Sequence, residues 1–130
     1  MNVLSTYIFR FAFVFACLAG GLSVLVAAYA AHAPGIEDAS LRSVNSAIQM
    51  MQFHALILIM VAWMAQAIKV NWFLLGSALF FITGILLFSC NIVLHQLAGI
   101  SHFRALTPFG GIAFVAGWIA LAITGLNKSD

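Results

Sequence analysis

The chain has 130 residues, 65% of them hydrophobic and only 6% charged, with a formal net charge of +2. A water-soluble domain carries about 25% charged residues, so a freely soluble fold is excluded. The five basic residues are scattered along the chain, which excludes the basic patch that nucleic-acid recognition requires.

Four continuously apolar blocks, 11–31, 44–67, 72–94 and 106–126, fill most of the sequence. Each approaches or exceeds the ~20 apolar residues that cross the hydrocarbon core of a bilayer. A transmembrane barrel needs short segments of alternating polarity, and these blocks do not alternate. The reading is an all-α integral membrane four-helix bundle, one domain over 1–130, with helices at about 7–31, 41–67, 71–95 and 105–126.

Arg10 precedes the apolar run of helix one, and Ala28-Tyr29-Ala30 and Ala31-His32-Ala33 look like signal-peptide cleavage sites. A signal h-region runs only about 7–15 residues, so this full-length span is expected to be retained. Ala12, Ala16, Ala19/Gly20, Ser23, Ala27 and Ala30/Ala31 form a small-residue stripe on it. Such stripes let helix backbones approach closely in lipid, where hydrophobicity itself does not press helices together.

Pro34-Gly35 stops helix one, and Asp38 or Ser40 is placed as the N-cap of helix two. On helix two, Asn45, Gln49 and Gln52 share a face. His54 lies about ten residues beyond Val44, roughly 15 Å into the membrane. A neutral imidazole donates one hydrogen bond and accepts another. His54 is therefore read as a helix-to-helix tie to Ser89, Asn91 or a backbone carbonyl, with a proton relay or ligand contact as the rival role.

The turn 68–71 carries Lys69 between Trp63 and Trp72. These are interfacial aromatics, and the short turn predicts that helices two and three pack as antiparallel neighbours. Helix three places Asn91 and His95 on one face near its end, above Gly84 and Phe88. Gly99 opens the next loop, and Thr107-Pro108 fits the first turn of helix four, where proline's missing N–H costs nothing. Helix four carries a second small-residue stripe of Gly110, Ala113, Gly117, Ala120 and Thr124. Ala16, Gly20, Gly110 and Gly117 are thus the expected helix-packing positions, and the two stripes facing each other is one arrangement. Phe11, Phe13, Phe15, Phe80 and Phe81 are assigned to lipid. Cys17 and Cys90 are expected to be free thiols within the membrane.

Four crossings put both termini and the 68–71 turn on one side (side A), and the loops 32–43 and 96–103 on the other (side B). Side A carries Arg10, Lys69 and Lys128, and side B carries Arg42 and Arg104. The positive-inside rule then favours cytoplasmic termini.

Gln49, Gln52, His54, Asn91 and His95 are the candidate ligand-binding residues, the polar ones gathering toward a side-B mouth between helices two and three. His32, His95 and His102 are the candidate ligands for a zinc or copper ion. No metal-binding spacing motif accompanies them, so the expectation is no metal and no cofactor. The spans contain no nucleophile–base pair, phosphate loop or carboxylate pair, and no enzymatic activity is expected.

Several segments resemble one family along nearly the whole chain. They are Ala31-His32; Gln49 with Phe53-His54-Ala55-Leu56; Gly84-Ile85-Leu86-Leu87-Phe88-Ser89; and Leu106-Thr107-Pro108-Phe109-Gly110-Gly111 with Ala116-Gly117-Trp118. Together they resemble the YgdD-like proteins, related to transmembrane protein 256 of animals and described as a domain of unknown function. The chain departs from that pattern at Ala33, where the family usually has glycine, at Gln52, shifted by one position, and at Cys90-Asn91. The resemblance implies a four-span protein of the bacterial inner membrane or its mitochondrial counterpart, and no activity. The leading expectation is a non-enzymatic bundle in the lipid bilayer, acting as a homo-oligomer or as an accessory subunit of a larger membrane complex. The alternative is a binder or carrier of a small ligand entering through the side-B mouth.

Overall fold

The structure, a computed structural model, describes residues 3–127. Lys128 of the side-A charge count lies outside the described residues. Four helices carry the chain: α1 (Val3–His32), α2 (Asp38–Ala67), α3 (Trp72–Ala98) and α4 (Thr107–Leu126). A single 3₁₀ turn, Arg104–Leu106, leads into α4. All four spans are long and apolar enough to cross a bilayer, and the protein is an all-α membrane bundle. At 1.5 Å per residue, the 30 residues of α1 and of α2 reach about 45 Å, beyond the ~30 Å hydrocarbon core. Their ends therefore stand in the headgroup layers, or the helices tilt.

Local chemistry sets most of the helix ends. Gly35 and Gly99 adopt positive φ, 77° and 68°, a conformation in which a Cβ would clash. Gly99 closes α3 by letting the chain turn left-handed. Pro108 sits in the first turn of α4. Asn71 caps α3, its Oδ1 accepting from the Leu74 N–H at 2.8 Å. The start of α2 differs from expectation. The N-cap position is Glu37, with no side-chain capping bond, and Asp38 is already helical.

α3 packs most extensively on α4, and α2 packs on α1 and, to a similar extent, on α3. The short turn made α2 and α3 neighbours without making them the principal pair. Both small-residue stripes are buried: Ala12, Ala16, Ala19, Ser23 and Ala30 on α1, and Gly110, Ala113, Gly117, Ala120 and Thr124 on α4. The α1 stripe packs on α2 and the α4 stripe on α3, rather than on each other. The core they enclose includes Met51, Leu58, Leu74, Phe81 and Ile85. Phe81 is 0% exposed, so its assignment to lipid is corrected. Phe11, Phe13 and Phe80 do face outward and Phe15 is half-buried. Cys17 and Cys90 are free thiols, the first on the outer surface and the second half-buried.

Candidate functional site

Polar ties from the other helices converge on α4. The one at mid-span is built on His54 of α2, 3% exposed. Its ring lies flat on Phe114, with centroids 3.7 Å apart and planes at 13°. Nδ1 is 2.8 Å from the Met50 carbonyl oxygen. The Trp118 indole Nε1–H donates to Nε2 at 3.2 Å. A carbonyl only accepts and an indole N–H only donates. Both bonds are satisfied together by one species, the neutral imidazole with its proton on Nδ1. Phe81 of α3 completes the cluster, 5.6 Å from the His54 ring and edge-on to Trp118.

His54 does tie α2 to another helix, but through none of the expected partners: Ser89 and Asn91 do not bond it, and its carbonyl partner, Met50, lies one turn back on α2 itself. Trp118 is the partner that sequence reasoning missed. Its signal was depth: Val44 to His54 and Thr107 to Trp118 are nearly equal steps from side B along two helices that run in the same direction.

Small residues make room for this cluster. A Cβ on Gly84 of α3 would collide with the Phe114 ring, and one on Gly117 of α4 would lie 2.7 Å from Phe81 Cε1. The two helices exchange rings into each other's notches, which holds Phe81 and Phe114 against His54. At Gly110 the neighbour is backbone. A Cβ there would sit 2.5 Å from the Phe88 backbone nitrogen and 2.7 Å from the Leu87 carbonyl carbon.

That contact falls on an irregular stretch. Residues Ile85–Cys90 of α3 are π-helical, a widened turn that often accompanies functional positions in helices. Asn91 follows it directly and forms the second tie. Its backbone N–H bonds to Phe88 O, while its side-chain amide donates to the Leu87 carbonyl at 3.2 Å. The same Nδ2 donates to the Phe103 carbonyl and, at 3.0 Å, to Thr107 Oγ1. Asn91 thereby staples α3, the side-B loop and the first turn of α4. Within the π segment the buried Ser89 hydroxyl has no partner among the described residues. Ser23, Ser77, Thr83 and Thr124 each donate to a carbonyl three or four residues back, and the widened turn interrupts that pattern at Ser89. At the opposite end, Thr124 Oγ1 reaches Asn71 Oδ1 at 3.3 Å, closing α4 onto the start of α3.

The polar mouth expected between helices two and three is not assembled. Asn45 and Gln49 are exposed and Gln52 is half-buried against α1. Asn91 is buried with its amide protons engaged. His95 is half-buried with Nδ1 unpartnered. The cause is rotation: Gln49 and His54 leave α2 on different faces, and only the His54 face meets α3 and α4. Nor do the side-B histidines converge. Among the described residues no three His, Cys, Asp or Glu side chains are placed to hold a metal ion, so His32, His95 and His102 form no joint site.

Of the four expected packing positions, Ala16, Gly110 and Gly117 are buried at helix contacts. Gly20 is not: a Cβ there, or on Gly21, would meet nothing within 4 Å. Both glycines line an open groove between α1 and α2 of about 500 Å³, together with Ala16, Cys17, Gln52 and Ala55.

A family model described as "Protein of unknown function (DUF423)" matches residues 26–111. The UPF0382 membrane protein YwdK of Bacillus subtilis is 30% identical over 110 residues, covering 82% of this chain and 88% of that protein. The UPF0382 inner membrane protein YgdD of Escherichia coli K12 is 29% identical over 118 residues, 89% of this chain and 88% of its own. A UPF0382 membrane protein of Staphylococcus haemolyticus is 33% identical over 109 residues, 79% and 84% of the respective chains. No solved structure is significantly similar to the chain.

Proposed function

Since the chain belongs to the DUF423 family of membrane proteins, we propose that it is a non-enzymatic inner-membrane bundle that works by association, forming a homo-oligomer through the α1–α2 groove around Gly20 and Gly21. The observation that carries this reading is the contrast among its glycines. Gly84, Gly110 and Gly117 are each filled by a ring or backbone of the same chain, whereas Gly20 and Gly21 face open space at mid-membrane. Small residues are where membrane helices approach most closely, so an unfilled glycine groove fits a helix from outside the chain. The non-enzymatic part is supported by the use already made of the buried polar groups. His54 and Asn91 are committed to internal ties, and such ties hold a scaffold rather than turn over a substrate.

Cys17 lines the groove with a free thiol, which provides the test. A two-fold contact across the groove brings Cys17 of two copies together. Mild oxidation of membranes is expected to yield a covalent dimer. Cys17→Ala abolishes that dimer, and Gly20→Ile, which fills the groove, strongly reduces it. A protein that stays monomeric in native membranes, does not crosslink and co-purifies with nothing overturns the proposal.

A further inference from the structure

We propose that the side-A end of the α1–α2 groove is a binding site for one anionic phospholipid of the phosphatidylglycerol class, its phosphate on Arg10 and an acyl chain in the groove. Here α1 and α2 enclose a second hollow of about 450 Å³, lined by Thr6, Phe9, Arg10, Phe13, Ala62 and Gln66 among others. It is apolar along its length and polar only where Thr6, Arg10 and Gln66 meet. Arg10 stands about 10 Å along the 45 Å length of α1, at the depth where the hydrocarbon gives way to headgroups.

Charge decides the occupant. A guanidinium in a span is costly unless it is paired, and among the described residues Arg10 has neither a hydrogen bond nor an ion pair. The described chain also has nothing to offer it. Its acidic residues there are Glu37 and Asp38, at the opposite, side-B end of α2. Among the described residues no acidic side chain lies at that end, and a lipid phosphate is an anion present at that depth. Arginine's planar fork takes phosphate oxygens in pairs. Lys69, in the turn just beyond Gln66, raises the positive potential further and favours a headgroup of net negative charge over a zwitterion. The hydroxyl and amide of Thr6 and Gln66 suit the hydroxyls of a glycerol headgroup. The hollow lies next along the same face of α1 as the Gly20 groove and does not require a second copy there.

The experiment is native mass spectrometry of the full-length protein released from nanodiscs containing equal phosphatidylglycerol and phosphatidylethanolamine. The expected result is one retained phosphatidylglycerol per chain, preferred over phosphatidylethanolamine by about tenfold, the weight of one charge-assisted bond. Arg10→Gln removes the preference and Ala62→Phe, which fills the hollow, removes retention, while Arg42→Gln at the other end changes neither. Arg10→Lys keeps the charge without the fork and retains an intermediate preference, which serves if Arg10→Gln fails to fold. Inorganic phosphate at matched concentration is expected not to compete, and complete competition by it overturns the lipid assignment. Equal retention by wild type and Arg10→Gln overturns the site, as does a crosslink from position 10 to a second copy in place of bound lipid.

Discussion

Gly110→Ala is the sharpest test of how α3 and α4 are held together. The added Cβ would lie 2.5 Å from the Phe88 nitrogen and 2.7 Å from the Leu87 carbonyl carbon, against the ~3.5 Å at which nonbonded heavy atoms settle. The obstacle is backbone, and backbone of a π segment pinned by Asn91 through the Leu87 carbonyl. It cannot rotate aside as a side chain would, so α4 must retreat by roughly 1 Å along its closest approach. Overpacking of this kind costs about 1–3 kcal/mol, and the immobile obstacle puts this site near the top of that range. The opposing gain, glycine to alanine inside a helix, is at most about 1 kcal/mol. The net loss is ~2 kcal/mol, roughly a 30-fold change in the folding equilibrium. Gly76→Ala is the control, because its nearest neighbour is the Phe80 ring at 4.0 Å, so it keeps the propensity gain without the clash. The assay is reversible unfolding of both variants in mixed detergent micelles, followed by tryptophan fluorescence. If Gly110→Ala is as stable as Gly76→Ala, the close approach of α4 to the π segment is wrong.

Three further outcomes follow from the same geometry. Trp118→Phe leaves His54 Nε2 without its donor and is expected to cost about 1–3 kcal/mol. His54→Phe combined with Trp118→Phe should cost less than the two single changes added, and additivity in that double-mutant cycle would deny the bond. Asn91→Leu removes the staple to Phe103 and Thr107 for a similar ~1–3 kcal/mol. Its signature is faster amide exchange confined to the loop between α3 and α4, and unchanged protection there would count against the staple. Reporter fusions at the two ends are both expected to be active in the cytoplasm, and a fusion in the 99–103 loop on the far side; termini on opposite sides would break the four-crossing topology.

Much of the bundle was legible in the chain because lipid imposes a simple rule on sequence. Every backbone polar group must be paired within the membrane, so long apolar runs become helices. Pro108, Gly35 and Gly99 mark their ends by backbone geometry alone. The small-residue stripes on α1 and α4 were equally visible, since spacing by three and four places residues on one face regardless of the partner. What spacing cannot supply is the partner or the rotation of one helix against another. The α1 stripe met α2 and the α4 stripe met α3. Phe81 turned inward because Gly117 offered it a notch, while Phe80 beside it stayed in lipid. Gln49 and Asn91 share a polar character and part company, because α2 turns its His54 face, not its Gln49 face, toward the remaining helices. The π segment left no mark in the local pattern, since it goes with contacts that only the packed bundle makes, Gly110 against Leu87 and Phe88 and Asn91 bonded across to the start of α4. Composition and periodicity decided that the chain crosses the membrane and with which faces it packs, because those are properties of single helices. Which faces meet, and so which polar groups are tied off and which grooves remain open, depends on relative rotations that exist only once the helices are together.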